Sequence, residues 1–177
     1  MNENSDSNVN LVNLNEMLER REARANFQDE LLRKYHDTII SFTMNIPGPI
    51  KTSKLIRSGF EIGKRNLLEK LHAQNFQINA IFEIHEKTGD ELLLSIKATD
   101  DELKRIAISI EEQNDLGRLF DIDVINSRGE KISRDNFRKC LICDKQAQEC
   151  ARSRTHSVSE MQDAVRKILE NAAIIIK

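Results

Sequence analysis

Tryptophan is absent from the 177-residue chain, and aromatic residues make up only 5% of it. A core built from this composition rests on Leu, Ile, Val and seven Phe. No apolar run approaches the ~18 residues that cross a bilayer as a helix. An excess of one sign of charge is missing too: 27 Lys and Arg stand against 29 Asp and Glu, for a net charge of -2. No global field drives binding to nucleic acid or to an anionic membrane, so any basic site has to be local. The opening MNENSDSNVN has no Lys, no Arg and no apolar stretch. It does not read as a signal peptide, and the expected compartment is the cytoplasm. Cysteine is scarce: three residues, an odd number, all between Cys140 and Cys150. That argues against a disulfide framework and for reduced thiols or a metal.

What is present reads as alternating helices and strands. Residues 1–12 have little to bury and are expected to form a disordered tail. Asn13 and Glu16 make a capping box before a helix whose apolar stripe is Met17, Leu18, Ala25, Leu32 and Tyr35. TIISFTMNI (38–46) is β-branched and reads as a strand, ended by Pro47-Gly48-Pro49. A helix is expected from about Thr52 to Ala73, with Ile56, Phe60, Leu67 and Leu71 inward. FQINAIFEIHE alternates with period two, so that Phe76, Ile78, Ala80, Phe82 and Ile84 share a face. KTGD turns it back into ELLLSIKAT as a hairpin. DDELKRIAISIEEQN is a helix capped by Asp100 or Asp101, RLFDIDVIN a strand, SRGE a turn and KISR a short return strand. The fold class is α+β: a ferredoxin-like βαββαβ sheet core with an added C-terminal strand and an N-terminal helix. No repeat or linker divides residues 13–177, which read as a single domain. Within it, 136–177 forms a subregion with a Cys-rich segment and a helix boxed by Ser157 and Glu160.

In GRLFDIDV (117–124), Asp121 and Asp123 lie at i and i+2 and so project from one face of a strand. Phe120, Ile122 and Val124 take the other face. Two carboxylates side by side repel unless a cation lies between them. Mg²⁺ prefers one or two carboxylates plus waters and substrate phosphates. Asp-hydrophobic-Asp on a strand therefore suits an enzyme that holds metal against a phosphate, and otherwise reads as a solvated strand face. Nearby, Arg118 and Arg134 can neutralise phosphate oxygens. In PGPIKTSK, Gly48 permits close backbone approach, Thr52 or Ser53 can cap, and Lys51, Lys54 and Arg57 succeed one another at three-residue spacing. The spacing is not that of a P-loop. A third carboxylate can come from Glu83, Glu91 or Glu130.

Cys140, Cys143, Cys150 and His156 offer three thiols and an imidazole, a set that can hold Zn²⁺ tetrahedrally in a structural role. The alternative is ordinary buried thiols. Arg152 and Arg154, with His156, form a basic cluster able to bind phosphate.

ISFTMNIPGPIKTS, GRLFDIDV and RKCLICDKQAQECARSRTHS occur in the order and approximate spacing of the apo-citrate lyase phosphoribosyl-dephospho-CoA transferases, also called citrate lyase holo-acyl-carrier-protein synthases. The chain resembles that family from about residue 14 to 172. The approach SRDNFRKC is shorter than the Pro-containing one common in the family. The resemblance implies a nucleotidyltransferase domain. It implies transfer of the phosphoribosyl-dephospho-CoA group from triphosphoribosyl-dephospho-CoA to a serine of the citrate lyase acyl carrier protein, with release of pyrophosphate. Asp121 and Asp123 would then hold Mg²⁺, with Arg118, Lys51 and Arg134 on phosphates. The D-x-D segment also looks like that of the DNA polymerase β type of nucleotidyltransferase, although Gly117 lies closer to Asp121 than the separated glycine turn of that type. Two other classes are a non-enzymatic zinc-containing partner module of a lyase complex and a D-x-D phosphohydrolase.

Overall fold

The computed structural model describes residues 11–134 and 136–175. Of the tail expected at residues 1–12, residues 1–10 lie outside them. Val12, counted with that tail, is instead buried, and its N–H donates to the Pro49 carbonyl at 2.8 Å.

Helix α1 (Leu14–Tyr35) starts at the expected capping box: Asn13 Oδ1 accepts from Glu16 N–H at 3.0 Å, and Glu16 accepts from Asn13 N–H at 2.9 Å. Strand β1 (Thr38–Met44) leads to α2 (Lys54–Ala73), capped by Ser53. The hairpin is β2 (Gln77–Glu86) and β3 (Gly89–Lys97). Helix α3 (Asp100–Glu111) is capped by Thr99, not by Asp100 or Asp101, because Thr99 and Glu102 close a capping box one residue earlier. The two aspartates fall in the first turn instead, where negative charge suits the helix dipole. A 3₁₀ turn (Leu116–Leu119) delivers the chain into β4 (Phe120–Ile125), and α4 (Ala147–Ser153) and α5 (Val158–Ile175) complete it.

The result is an α+β fold with one sheet, ordered β2-β3-β1-β4, in which every neighbouring pair is antiparallel. Its two faces differ. On one, Ile40, Phe42, Leu92, Leu94, Phe120, Ile122 and Val124 pack with Phe60, Leu67, Leu71, Leu103 and Leu169 of α2, α3 and α5. Each such side chain contributes about 1.5–3 kcal/mol on burial. On the other face, Ile39, Leu93 and Ile125 pack against α1 through Leu31 and Leu32. No helix among the described residues is long and apolar enough to cross a membrane.

Three expectations are corrected. The return strand KISR is reduced to a single bridge, Ile125 with Lys131, and one bond from Ile132 N–H to Val124 O. The chain departs there because side chains, not a strand, occupy the rest of that edge. The alternation of β2 breaks at Asn79, where the register with β3 shifts between Ile78 and Ala80. This bulge turns the residues after it to the opposite face. Phe76 and Ile78 join the larger core, whereas Ile84 packs with the α1 cluster and Phe82 meets Phe27 of α1 edge-on at 4.9 Å. Finally, Leu18 and Ala25 of α1 are exposed. The inward stripe runs through Met17, Arg20, Arg24, Phe27 and Leu31, all buried or half-buried.

The large core is tightest around Gly63. Phe42 stacks on Phe60 with centroids 4.9 Å apart and meets Phe120 edge-on at 5.3 Å. A Cβ on Gly63 would stand 2.6 Å from the Phe42 ring and 2.8 Å from the Phe120 ring. Gly63→Ala is therefore expected to destabilise by about 1–3 kcal/mol, as overpacking does. Thermal unfolding should fall by about 2–4 °C for each kcal/mol at this chain length. An unchanged Tm would show that the rings yield freely.

Candidate active site

Strand β4 places its side chains alternately. Phe120, Ile122 and Val124 enter the large core, so Asp121 and Asp123 project toward the face that α1 covers. Register completes the picture. Thr43 of β1 lies opposite both Glu91 of β3 and Asp121 of β4, so Glu91, Thr43 and Asp121 form one row across three strands. Of the three candidates for a further carboxylate, only Glu91 lies in this row. Glu83 is held by Lys64 and Glu130 by Asn126 and Arg128.

The N-terminal half of α1 roofs this row with cations. Arg20 grips Glu91 with both prongs, at 3.0 and 2.6 Å, and Arg24 adds a bond at 3.1 Å. Burying a carboxylate to 5% exposure is tolerable because two guanidiniums compensate it. Between α1 and the sheet lies a cleft lined by Arg20, Arg21, Arg24, Lys51, Glu91 and Asp121, with Thr43 and Thr88 on its floor and rim. Asp90 also borders it but is engaged by Arg57 and His85. Four cations thus face Glu91 and Asp121, and the cleft carries an excess of positive charge. Thr88 Oγ1 is buried without a hydrogen-bond partner there.

Lys51 enters the cleft as the sequence suggests. Its Nζ donates to the Ile46 carbonyl at 2.5 Å, bracing the Pro-Gly-Pro turn. Burial and the neighbouring Arg21 lower its pKa. Asp121 moves the other way: burial first, then the adjacent Asp123, raise its pKa against the pull of Lys131, Arg138 and Arg24. Asp123 is met by Lys131 at 2.7 Å. A divalent cation between the two aspartates would relieve both the burial cost and the repulsion, so the donor set fits Mg²⁺.

Other expected residues go elsewhere. Arg118 donates to the Cys140 carbonyl at 2.5 Å and does not reach the cleft. Arg134 pairs with Glu111 at 3.0 Å and Glu112 at 3.2 Å. Gly48 adopts φ +81°, the left-handed region, but faces Gln162 and Val158 of α5. Arg152 is exposed on α4, while Arg154 and His156 border a separate groove with Arg118 and Arg138. Cys140, Cys143, Cys150 and His156 do converge: their ligand atoms all lie within 4.8 Å of one another, a set that can hold a metal such as zinc. The Cys140 thiol, though buried, is held down to about 7 by the Ile142 and Cys143 N–H groups.

The sequence reading missed Arg20, Arg21 and Arg24. A signal was present: Met17, Arg20, Arg24, Phe27 and Leu31 repeat at helical spacing, and two arginines on the inward stripe call for anionic partners.

A cleft that sets Asp121 and Glu91 among four cations is of a class that can take a phosphate ester, its guanidiniums suited to phosphate oxygens. The comparisons are more particular. The family model described as apo-citrate lyase phosphoribosyl-dephospho-CoA transferase matches residues 12–172, and the chain belongs to that family. A relative of that name in Citrobacter koseri is 35% identical over 165 residues, 91% of this chain and 90% of its own. Relatives in Shigella boydii serotype 18 and Escherichia coli O157:H7 are each 34% identical over 164 residues, 90% of either chain.

The raised pKa of Asp121 gives a stability test. Because folding raises it above the unfolded carboxylate value of about 4, the ionised group costs stability, and the cost grows as pH rises through the folded pKa. Asp121→Asn should therefore raise the metal-free Tm at neutral pH. The gain should vanish below about pH 4. A lower Tm at neutral pH would mean that the carboxylate stabilises the strand.

Proposed function

We propose that this protein transfers the phosphoribosyl-dephospho-CoA group from triphosphoribosyl-dephospho-CoA to a serine of the apo citrate lyase acyl carrier protein. The observation that carries the reading is the single cleft in which Asp121 meets Arg20, Arg21, Arg24 and Lys51, in a chain that belongs to the transferase family. The serine hydroxyl loses its proton to solvent as its oxygen bonds to the ribose-linked phosphorus of the triphosphate, the bond from that phosphorus to the bridging oxygen breaks, and pyrophosphate leaves. Positioning and charge neutralisation carry most of such catalysis.

Each group has a task. Arg21, Arg24 and Lys51 bind the oxygens of the triphosphate and orient its chain along the cleft. Arg20 stays largely committed to Glu91 and fixes the height of α1 above the sheet. Asp121 and Asp123 would hold Mg²⁺, which when bound would supply charge neutralisation for the phosphate oxygens. Zn²⁺, in a structural role, is the second metal, at Cys140, Cys143, Cys150 and His156. We read the sheet as a ferredoxin-like βαββαβ core, supported by its strand order, and residues 13–177 as one nucleotidyltransferase domain acting in the cytoplasm.

The test uses purified apo carrier protein and the triphosphate precursor. The expected outcome is a mass increase on the carrier equal to the prosthetic group, with one pyrophosphate released per transfer. Unmodified carrier, or precursor hydrolysed without transfer, would overturn the reading. Asp121→Asn and Asp123→Asn should each slow transfer by roughly 10²-fold or more, the scale of losing one preorganised electrostatic group.

Arg24→Ala and Lys51→Ala should raise KM for the triphosphate by about tenfold or more, the worth of a hydrogen bond to a charged group. KM for the carrier should change little. Arg118→Ala, by its position, should leave the triphosphate KM near wild type. Separate titration of each substrate checks all three variants.

A further inference from the structure

The segment between β4 and α5 has almost nothing of its own to hold it together. From residue 136 to residue 160, Cys140 and Cys150 are the only buried residues. A stretch without a core needs a cross-link or a metal to keep one shape. All three cysteines are free thiols.

Their backbone is nevertheless arranged around a point. Lys139 bridges to Gln146, Cys140 N–H donates to Lys145 O at 2.7 Å, and Ala147 N–H donates to Arg138 O at 2.8 Å. This makes a short hairpin with Cys140 and Cys143 toward its tip. Cys150 lies beyond it within α4, and His156 comes just after the left-handed residue Arg154 that ends the helix. Cys143 Sγ lies 3.5 Å from Cys150 Sγ and 3.3 Å from His156 Nε2. Ligands on a tetrahedral Zn²⁺ stand about 3.3–3.8 Å apart, given bond lengths near 2.0–2.3 Å.

The base of this hairpin touches the acid strand. Strand β4 is an edge, with β1 on one side only. Its open side at Asp121 is closed by two side chains. Arg138 Nη2 donates to Phe120 O at 2.5 Å, and Glu111 Oε1 accepts from Ile122 N–H at 2.8 Å. The two are joined to each other by an ion pair at 3.0 Å. Together they stand in for a missing strand on either side of Asp121. Arg118 ties the hairpin back a second time, through the Cys140 carbonyl.

We propose that Cys140, Cys143, Cys150 and His156 form a closed Zn²⁺ site whose task is to hold Arg138 against the edge of β4, and so to fix the strand that carries Asp121 and Asp123. The site is a lever: metal orders the hairpin, the hairpin presents Arg138, and Arg138 with Glu111 satisfies the backbone beside Asp121. The inference rests on the zinc reading of the four ligands, and only its catalytic consequence rests on the transferase reading.

The test takes the full chain purified without chelator under reducing conditions. Metal analysis should find about one zinc per chain, and Co²⁺ exchanged into the site should show thiolate charge-transfer bands and the absorption of a tetrahedral ion. Cys143→Ser should lose both. Hydrogen exchange monitored by mass spectrometry reads the lever without any activity assay. Zinc removal should speed exchange about tenfold in peptides covering 138–157 and also in those covering 120–125, as local opening becomes easier. Arg138→Ala should keep its zinc yet speed exchange in 120–125 alone. Absence of zinc in a chain whose residues 138–157 stay protected would overturn the site. Zinc present, with exchange in 120–125 indifferent to both chelator and Arg138→Ala, would overturn the lever. Transfer that fails while metal and exchange behave as described would count against the transferase reading and leave this one standing.

Discussion

The alternation of side chains along β4 governs where every other part of the site can stand. A strand must send successive residues to opposite faces. Phe120, Ile122 and Val124 are committed to the aromatic and aliphatic core, where the rings of Phe42, Phe60 and Phe120 interlock. Asp121 and Asp123 then have no choice of side. Their proximity is built into the backbone, and the stability of the hydrophobic face holds two repelling carboxylates where neither would settle alone. The unfavourable charge is local, confined to one strand of the sheet.

The charged face needs a roof, and α1 supplies one of two parts. Its C-terminal half is an ordinary amphipathic helix: Leu31 and Leu32 close over Ile39, Leu93 and Ile125. Its N-terminal half keeps the same spacing but exchanges apolar side chains for Arg20 and Arg24. One helix therefore anchors at one end and presents guanidiniums at the other. Glu91 is what makes this possible, because without it the arginines would lie over Asp121 alone. The Glu91–Arg20 fork is bidentate and nearly dry, the geometry in which such a pair defines position well.

What could be read from sequence was local. The Asn13–Glu16 and Ser157–Glu160 boxes, the Asp pair and the convergence of the cysteines each depend on residues a few positions apart, and the structure places them as their spacing implies. What could not be read depended on distant partners. The bulge at Asn79 leaves no mark in FQINAIFEIHE, whose alternation looks unbroken until β3 sets the register. Arg118 and Arg134 lie near the aspartates in sequence, but the 3₁₀ turn and the buried Glu111 draw them to other acceptors. Arg20 and Arg24 are about a hundred residues from Asp121 and were hidden by a stripe traced through apolar residues only.

Helix α1 is made well before the partners that bury its inner face. Its apolar partners Leu93 and Ile125, and the carboxylate of Glu91, are synthesised well after Tyr35. At about 5–20 residues per second, the interval from Tyr35 to Ile125 is roughly 5–18 s. During that time only its capping box and its length can hold the helix, and its two inward arginines remain in water. A helix whose buried face is half charged is suited to such a wait, since it offers little for a premature partner to grip. The cleft can be completed only once β4 has been made, since Asp121 is the last of its lining residues along the chain.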